Sequence, residues 1–252
     1  ARLCLFEPTR RPTNQVREIC TAWGRAKIKG KMGQGHADVL EAIFWSCAAW
    51  RGDLEGRIEL LVDRYQLLKV ANGGKQGSGE QLGLLLEDLM QVLVEVDIPK
   101  REINACGHVI DLIAKSKIEI DGPGRGLGAR RDLPRHYMRV TLGPVFLALF
   151  CADLHLHYDP QRLAQLQFGV AQALARHVLC HRSAPPGGYH LDHLLAASGA
   201  GDPTKMANRR RETRRDADGL KALGIVVEGG RVLVRKPPSR ERRVGQLGLH
   251  EL

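Results

Sequence analysis

The sequence predicts an α+β fold, mainly α, in which two winged-helix domains follow each other and carry small antiparallel hairpins. In each half of the chain, apolar residues recur at helical spacing over successive segments and then at a spacing of two. Each half also ends on short β-type segments around a turn or a glycine-rich loop, as a winged helix does. The first 35 residues have weak periodicity. We therefore expect an N-terminal arm over 1–35, a first domain over 36–150 and a second domain over 151–252.

The first domain is predicted from three helices followed by strands. Helices are expected over 36–50 and 65–71, and a capping box of Ser78 and Gln81 begins the third helix. The apolar period then changes to two, which predicts antiparallel strands over 92–98, 107–120 and 136–142. The loop GPGRGLGARRDLPR at 122–135 contains glycines and four arginines, as a basic wing tip would.

The second domain repeats this order. Apolar residues at helical spacing predict a long helix over 160–182, and LDHLLAAS predicts a short one that stops at Gly199. Asp202 and Pro203 supply an N-cap and a first-turn proline for a third helix that runs to about Ala222. The stretch IVVEGGRVLV predicts two strands around a Gly-Gly turn.

The charge of the chain is concentrated near its C-terminus. The formal net charge is +10, and such a basic balance favours an anionic partner. Between Pro203 and Arg243, thirteen Lys and Arg residues stand against five Asp and Glu residues. The anion-binding surface is therefore expected in the second domain.

The third helix of that domain carries the predicted DNA-reading face. On a helical wheel Met206, Thr213 and Leu220 share one narrow face that suits packing. The opposite face can enter a major groove, where Arg pairs with guanine and Asn with adenine. The residues predicted to read bases are Thr204, Asn208, Arg211 and Arg215.

Other basic residues are predicted to contact phosphates, which position a protein on DNA without reading its sequence. They are Lys205, Arg209, Arg210 and Arg214 on the helix, Arg231, Arg235 and Lys236 on the hairpin, and Arg125, Arg130 and Arg131 in the first-domain loop. A solvated basic face, or contact with RNA or an acidic protein, is the alternative.

Glu80, Glu87 and Asp88 would be repelled by phosphates, so the third helix of the first domain is expected to make little base contact. That domain otherwise serves as a partner surface or a scaffold.

No motif for catalysis or metal binding is complete. His155-Leu-His157 has the arrangement with which rolling-circle nucleases bind a metal, but no tyrosine stands in a helical Y-x-x-K setting. GKMGQG and GGKQGSG do not satisfy the phosphate-loop pattern. We expect no enzymatic activity, no cofactor and no metal.

The sequence also predicts where the protein acts. No apolar run approaches the roughly 20 residues that a membrane span needs, so no membrane contact is expected. The N-terminus lacks the features of a secretory signal, which predicts the bacterial cytoplasm.

Several stretches resemble plasmid replication initiators that bind iterons, of the TrfA and IncQ RepC kind. They are MRVTLGPVFLALF, GYHLDHLLAAS and KMANRRRETRRDADGLKALGIVVEGGRVLVRKP. The resemblance covers most of the chain from about residue 36. It implies a protein that binds direct repeats in double-stranded DNA at a plasmid origin, opens an adjacent AT-rich segment and recruits the replisome. It further implies a replicative helicase and a host initiator as partners, and a homodimer.

The N-terminal RLCLFE is similar to the peptide with which broad-host-range initiators bind the bacterial DNA polymerase sliding clamp. This similarity implies clamp contacts by Leu3, Leu5 and Phe6. The alternative is a strand packed on the protein itself.

Two other functions compete with replication initiation. A winged-helix transcriptional repressor or partition-type DNA binder would favour an inverted repeat read by a symmetric dimer. A nicking nuclease would show metal-dependent cleavage that is lost on His155→Ala.

Overall fold

The computed structural model describes residues 4–21, 24–52, 57–115, 136–151, 158–181 and 184–235. These residues form two α+β units, each with its own apolar core. Buried residues between Ala26 and Val145 make the first core, and buried residues between Leu163 and Val232 make the second. Within the described ranges, no helix combines the length and apolarity that a bilayer crossing requires.

The first unit contains two sheets and four helices among its described residues. In chain order its elements are β1 (Gln15–Thr21), β2 (Gly24–Gly30), α1 (Gln34–Trp45), β3 (Cys47–Gly52), β4 (Ile58–Asp63), α2 (Arg64–Ala71), α3 (Gly79–Gln91), β5 (Leu93–Ile98), β6 (Ile103–His108), β7 (Ile110–Lys115), β8 (Tyr137–Leu142) and α4 (Pro144–Cys151). One antiparallel sheet has the strand order β1-β2-β5-β6, and the other has the order β3-β4-β8-β7.

Alternation along the strands explains which face of the first sheet is buried. In β2, Ala26 and Ile28 face the core, whereas the Lys side chains between and beyond them point outward. Helix α3 covers the core with Leu82, Leu86 and Leu89, which recur at helical spacing.

The second unit is smaller and has one sheet among its described residues. Its elements are α5 (Pro160–Ala164), α6 (Gly169–Leu179), β9 (Tyr189–His190), α7 (Leu191–Leu195), α8 (Met206–Arg215), α9 (Ala217–Ala222), β10 (Ile225–Glu228) and β11 (Arg231–Val234). The strand order β10-β11-β9 places the last strand of the unit in the middle. A π-helical turn with Gly199 at φ 85° follows α7, and a 3₁₀ turn at Pro203–Lys205 precedes α8.

The two units meet through a buried polar junction between α1 and α6. The guanidinium of Arg176 donates to Gln34 Oε1 at 2.6 Å, to Asp38 Oδ1 at 2.6 Å and to Glu41 Oε1 at 2.8 Å. Burial alone would lower the pKa of Arg176, but the charges of Glu41 and Asp38 raise it further than burial lowers it. Arg176 is therefore held in its charged form.

The N-terminal segment belongs to this junction. Arg10 lies 3.4 Å from the Asp38 carboxylate and donates to the Leu166 carbonyl at 3.2 Å. A Cβ on Gly169 would lie 2.6 Å from Thr9 Cα, so glycine is required where this segment passes the start of α6. The segment contacts both units.

The expectation of an arm over 1–35 is wrong, because β1 and β2 occupy Gln15–Thr21 and Gly24–Gly30. Strand β1 forms a local hairpin with β2 but has no buried residue, and β2 pairs with the distant β5. The weak periodicity of the segment therefore did not reveal these strands. The helix expected over 36–50 ends at Trp45, and β3 follows it.

Three longer elements are also divided. The strand expected over 107–120 breaks because Val109 and Ile110 are both buried, which interrupts the period of two and sends β6 and β7 to different sheets. The helix expected over 160–182 is divided into α5 and α6. The helix expected from Pro203 to Ala222 is divided at Asp216. The predicted wing tip at 122–135 lies outside the described residues.

Candidate nucleic-acid interface

Helix α8 is positioned by the turn that precedes it. Asp202 caps this turn, and its Oδ1 accepts from the Thr204 amide at 3.0 Å and from the Thr204 hydroxyl at 2.6 Å. The bonds from Thr204 also lower the pKa of Asp202. Asp202 is the cap that the sequence predicted, and the Thr204 hydroxyl donates to it.

The burial of α8 separates a packed face from an open one. Thr213 is fully buried, and its hydroxyl donates to the Arg209 carbonyl at 2.8 Å. Met206 is half-buried and packs against the second core. The exposed side chains are Ala207, Asn208, Arg211, Arg214 and Arg215, together with Thr204 in the preceding turn. The four residues predicted to read bases are therefore all exposed.

Two of these residues are connected on the helix surface. The side-chain Nδ2 of Asn208 donates to Glu212 Oε1 at 2.9 Å. The side-chain Oδ1 of Asn208 accepts from Arg211 Nη2 at 2.5 Å. These bonds between positions three and four residues apart fix the two side chains side by side. Base reading by Asn208 and Arg211 requires them to exchange these partners for base edges.

Arg215 lies at the end of α8, where its guanidinium carbon is 4.9 Å from the centre of the Phe168 ring. This distance suits a cation–π contact with the segment that begins α6. Arg215 is exposed, but part of its side chain is committed to packing.

Arg210 has a structural partner. Its Nε donates to Asp192 Oδ1 at 2.7 Å and its Nη2 to Asp192 Oδ2 at 2.6 Å, a bidentate pair between α8 and α7. The hydrogen bond from Arg210 lowers the pKa of Asp192, so the carboxylate is charged.

Arg209 is half-buried, and its Nη1 is buried without a hydrogen-bond partner among the described residues. Arg209 and Arg210 were both predicted as phosphate contacts, but they lie on the sides of α8 that approach the rest of the unit.

The hairpin adds two basic side chains. Arg231 is exposed and its Nη1 donates to the Gly187 carbonyl at 3.1 Å, and Arg235 is exposed just after β11. Lys205 is exposed and lies 3.4 Å from the Asp202 carboxylate. Predicted contacts that lie outside the described residues are Lys236, Arg125, Arg130, Arg131 and Leu3.

The open face of α8 differs in charge from the basic strand of the first unit. On β2, Lys27 lies 3.3 Å from Glu18 and Lys29 lies 2.8 Å from Glu95. Within the part of the chain that the structure describes, no carboxylate pairs with Arg211, Arg214 or Arg215. The open face of α8 is therefore the more suitable surface for an external polyanion.

The third helix of the first unit presents the opposite charge. On α3, Glu80 and Glu87 are exposed, and Leu84 is 58% exposed. Phosphates would meet carboxylates on this surface. The expectation that α3 makes little base contact stays a prediction.

The peptide that resembles a clamp-binding motif is packed on the protein. Leu5 and Phe6 are half-buried against the first core, and Arg17 donates to the Leu5 carbonyl at 2.6 Å. The Glu7 amide donates to the Met32 carbonyl at 2.8 Å. Clamp binding would require Leu5 and Phe6 to leave the core.

No metal site is found in the described ranges: no group of three or more His, Cys, Asp and Glu side chains there is arranged to hold an ion. The His155 and His157 pair of the nuclease alternative lies outside those ranges.

Comparison with known proteins shows similarity in fold but not in sequence. No family model and no curated protein matches the sequence. Two crystal structures of domains 2 and 3 of RctB, one of them of selenomethionine derivatives, superpose with a TM-score of 0.51 at 12% identity. The alignment covers 90% of this chain and 91% or 92% of theirs. The likeness thus extends over both units and shows the fold alone.

Proposed function

We propose that this protein is a replication initiator that binds double-stranded DNA through α8 and the β10–β11 hairpin. The observation that carries the proposal is the open face of α8, where Arg211 and Arg214 are exposed and no described carboxylate pairs with them. An exposed arginine face on a helix that follows a second short helix is the arrangement of a helix-turn-helix reader.

The order of elements in the second unit supports this assignment. Helix α6, strand β9 and helices α7 and α8 follow one another in the order of a winged helix, and the hairpin comes after the short helix α9. Strand β11 lies between β9 and β10. In the first unit the strands divide between two sheets. We therefore propose the winged-helix fold for the second unit.

The class of protein is supported by two independent likenesses. Domains 2 and 3 of RctB, a replication initiator, share the fold. The stretches around α4, α7 and α8 resemble iteron-binding plasmid initiators. We therefore assign the chain to origin binding, with direct repeats as the DNA target and no bond chemistry of its own.

The roles within the interface follow from geometry. Helix α8 has ten residues. An α-helix with its side chains is about 10–12 Å across, which suits insertion into a major groove about 12 Å wide. Arg211 and Asn208 supply the donors and acceptors that pair with guanine and adenine edges. Arg214 and Arg231 approach the phosphates beside the groove. The Arg210–Asp192 pair holds α8 against α7.

Origin opening follows from several copies bound together. Bending a site of this kind costs on the order of 1–6 kcal/mol. Copies along an array of direct repeats supply this energy jointly, because each adds its own phosphate contacts. The same array would present a surface for a replicative helicase and a host initiator. The sliding clamp is not part of the proposal, since Leu5 and Phe6 pack against the first core.

A gel-shift titration at near-physiological salt with excess competitor DNA tests the proposal. Three duplexes are compared: direct repeats from the protein's own replicon, an inverted repeat, and a scrambled control. A ladder of shifted species confined to the direct repeats is expected. A single species on the inverted repeat would favour a dimeric repressor, and equal weak binding to all three would reject specific DNA recognition.

A matched pair of variants locates the surface. Arg211→Ala with Arg214→Ala should abolish the ladder, whereas Arg51→Ala with Arg57→Ala, two exposed arginines of the first unit, should leave it. Loss of the ladder only in the second pair would place the interface on the first unit.

A further inference from the structure

Two histidines and one arginine form a cluster beside α8. His190 on β9 and His193 on α7 are exposed, and their ring centroids lie 4.9 Å apart. Arg231 on β11 is the cross-strand partner of His190 in the β11–β9 ladder. Directly opposed residues in such a ladder have their Cβ atoms about 5 Å apart, so the three side chains share one surface.

Two carboxylates, those of Asp192 and Glu228, lie near this cluster. Both carboxylate oxygens of Asp192 accept from Arg210. Glu228 is the directly opposed partner of Arg231 on the β10 side, so its side chain lies on the same face of the sheet as Arg231, one strand further from His190. Tyr189 alternates to the other face of β9, where its ring lies 5.9 Å from that of His181. Basic groups outnumber the carboxylates here, since Arg210, Arg231 and the two imidazoles stand against Asp192 and Glu228, so the surface suits an anion better than a cation.

The cluster has a fixed position relative to α8. Asp192 stands in α7 between the two histidines in sequence, and its bidentate bond to Arg210 ties α7 to α8. Arg231 is tied to the turn before β9 through the Gly187 carbonyl. The cluster therefore borders the open face of α8, where the backbone of a duplex in the α8 groove would pass.

We propose that His190, His193 and Arg231 form a DNA phosphate-binding site whose strength depends on imidazole protonation. This inference rests on the proposed function and adds the two histidines to the interface. A protonated imidazole donates through both ring nitrogens, whereas a neutral one donates through one only. Histidine changes its charge between about pH 5 and 8, so the site gains positive charge on acidification.

Salt titrations at two pH values separate this site from the rest of the interface. Each phosphate contact adds about 0.9 to the slope of log K against log salt for duplex DNA. For the wild type, fluorescence anisotropy with a direct-repeat duplex should give a slope that is steeper at pH 6 than at pH 8 by about one to two. The double variant His190→Gln with His193→Gln should give the same slope at both pH values.

Two further variants serve as controls. His136→Gln removes an exposed histidine of the first unit and should keep the wild-type pH difference. Arg231→Gln should lower the slope by about one at both pH values and leave the difference between them. Thermal unfolding at both pH values checks that each variant is folded.

The outcomes distinguish the site from the proposed function. If the double variant binds DNA and keeps the wild-type pH difference, the histidine site is overturned while the initiator proposal stands. If the wild type does not bind the duplex at either pH, both proposals fail. Binding that loses its pH difference only in the double variant supports the site.

Discussion

Arg176 of α6 and Asp38 of α1 form a 2.6 Å ion pair across the junction between the two units. Asp38 is 2% exposed, and Gln172, one turn before Arg176, also donates to its carboxylate at 3.1 Å. Because α8 packs on α6, the junction fixes the position of α8 relative to the first unit. In the proposed function, the two units would therefore approach DNA as one body.

The Arg176→Met variant should lose about 3–5 kcal/mol in free energy of unfolding, because Glu41 would lose its buried counter-ion and Asp38 would keep only the partly exposed Arg10. Urea denaturation measures this loss. Arg162→Met is the matched control, since Arg162 is 54% exposed and lies 3.8 Å from Asp159. It should change stability by less than about 0.5 kcal/mol. Equal effects of the two variants would show that the junction contributes nothing beyond a surface pair.

His36 should make stability depend on pH. The ring is 2% exposed at the start of α1, where Nδ1 accepts from the Gly33 amide at 3.1 Å and Nε2 faces Asp88 at 3.2 Å. Burial lowers the pKa of His36 despite the opposing effect of Asp88. The unfolded chain therefore takes up a proton at higher pH than the folded one. Stability should fall as the pH drops below about 6.5 towards the folded pKa, and it should be retained above that window.

Comparison of unfolding free energies at pH 7.5 and 5.5 tests this expectation. The wild type should be less stable at pH 5.5, and His36→Gln should show a smaller difference between the two values. His136→Gln, which changes an exposed ring, should retain the wild-type difference. A difference that is unchanged in His36→Gln would assign the pH dependence to other groups.

Local sequence patterns predicted several element ends. Ser78 caps α3 as expected, with its hydroxyl 3.3 Å from the Gln81 amide, and Asp202 caps the turn before α8. These interactions span two or three residues, so the residue types alone reveal them. The sequence also predicted the α+β class, because the helical and strand periods of apolar residues are local patterns. Helices and antiparallel sheets are both present.

What the patterns did not predict depends on distant partners. Asp216 divides the expected helix from Pro203 to Ala222, because its carboxylate binds backbone amides of a segment 48 and 49 residues earlier. Arg210 appears on a helical wheel as one more basic residue, but Asp192 on α7 takes its guanidinium. The Arg176 junction joins residues more than 130 positions apart. The spacing of apolar residues does not reveal such pairs.

Asp216→Ala should destabilise the second unit by about 2 kcal/mol. The carboxylate is 6% exposed and accepts from the Gln167 amide at 3.1 Å and the Phe168 amide at 2.8 Å, at the start of α6. Without it, two donors near the helix start lose their acceptor. Asp218→Ala, an exposed change on α9, should cost less than about 0.5 kcal/mol. The prediction fails if denaturation midpoints of both variants match the wild type.

Arg211→Ala and Arg214→Ala should separate base reading from phosphate contact. Arg211→Ala should cost about 1–3 kcal/mol of binding free energy and relax the base preference, because a guanidinium in the groove pairs with guanine. Arg214→Ala should weaken binding to all sequences alike and lower the salt slope by about one. Arg215→Ala is a less direct test, since that side chain also contacts Phe168.

Anisotropy titrations on a direct-repeat duplex and on duplexes with single base-pair changes measure both effects. Because Arg211 donates to Asn208 Oδ1, its removal frees this oxygen to accept from an adenine amino group, so the base preference should also change at the neighbouring base pair. Lys221→Ala, an exposed change on α9, serves as the control. If Arg211→Ala and Arg214→Ala lower affinity equally for every duplex, α8 lies across the backbone and another surface reads the bases.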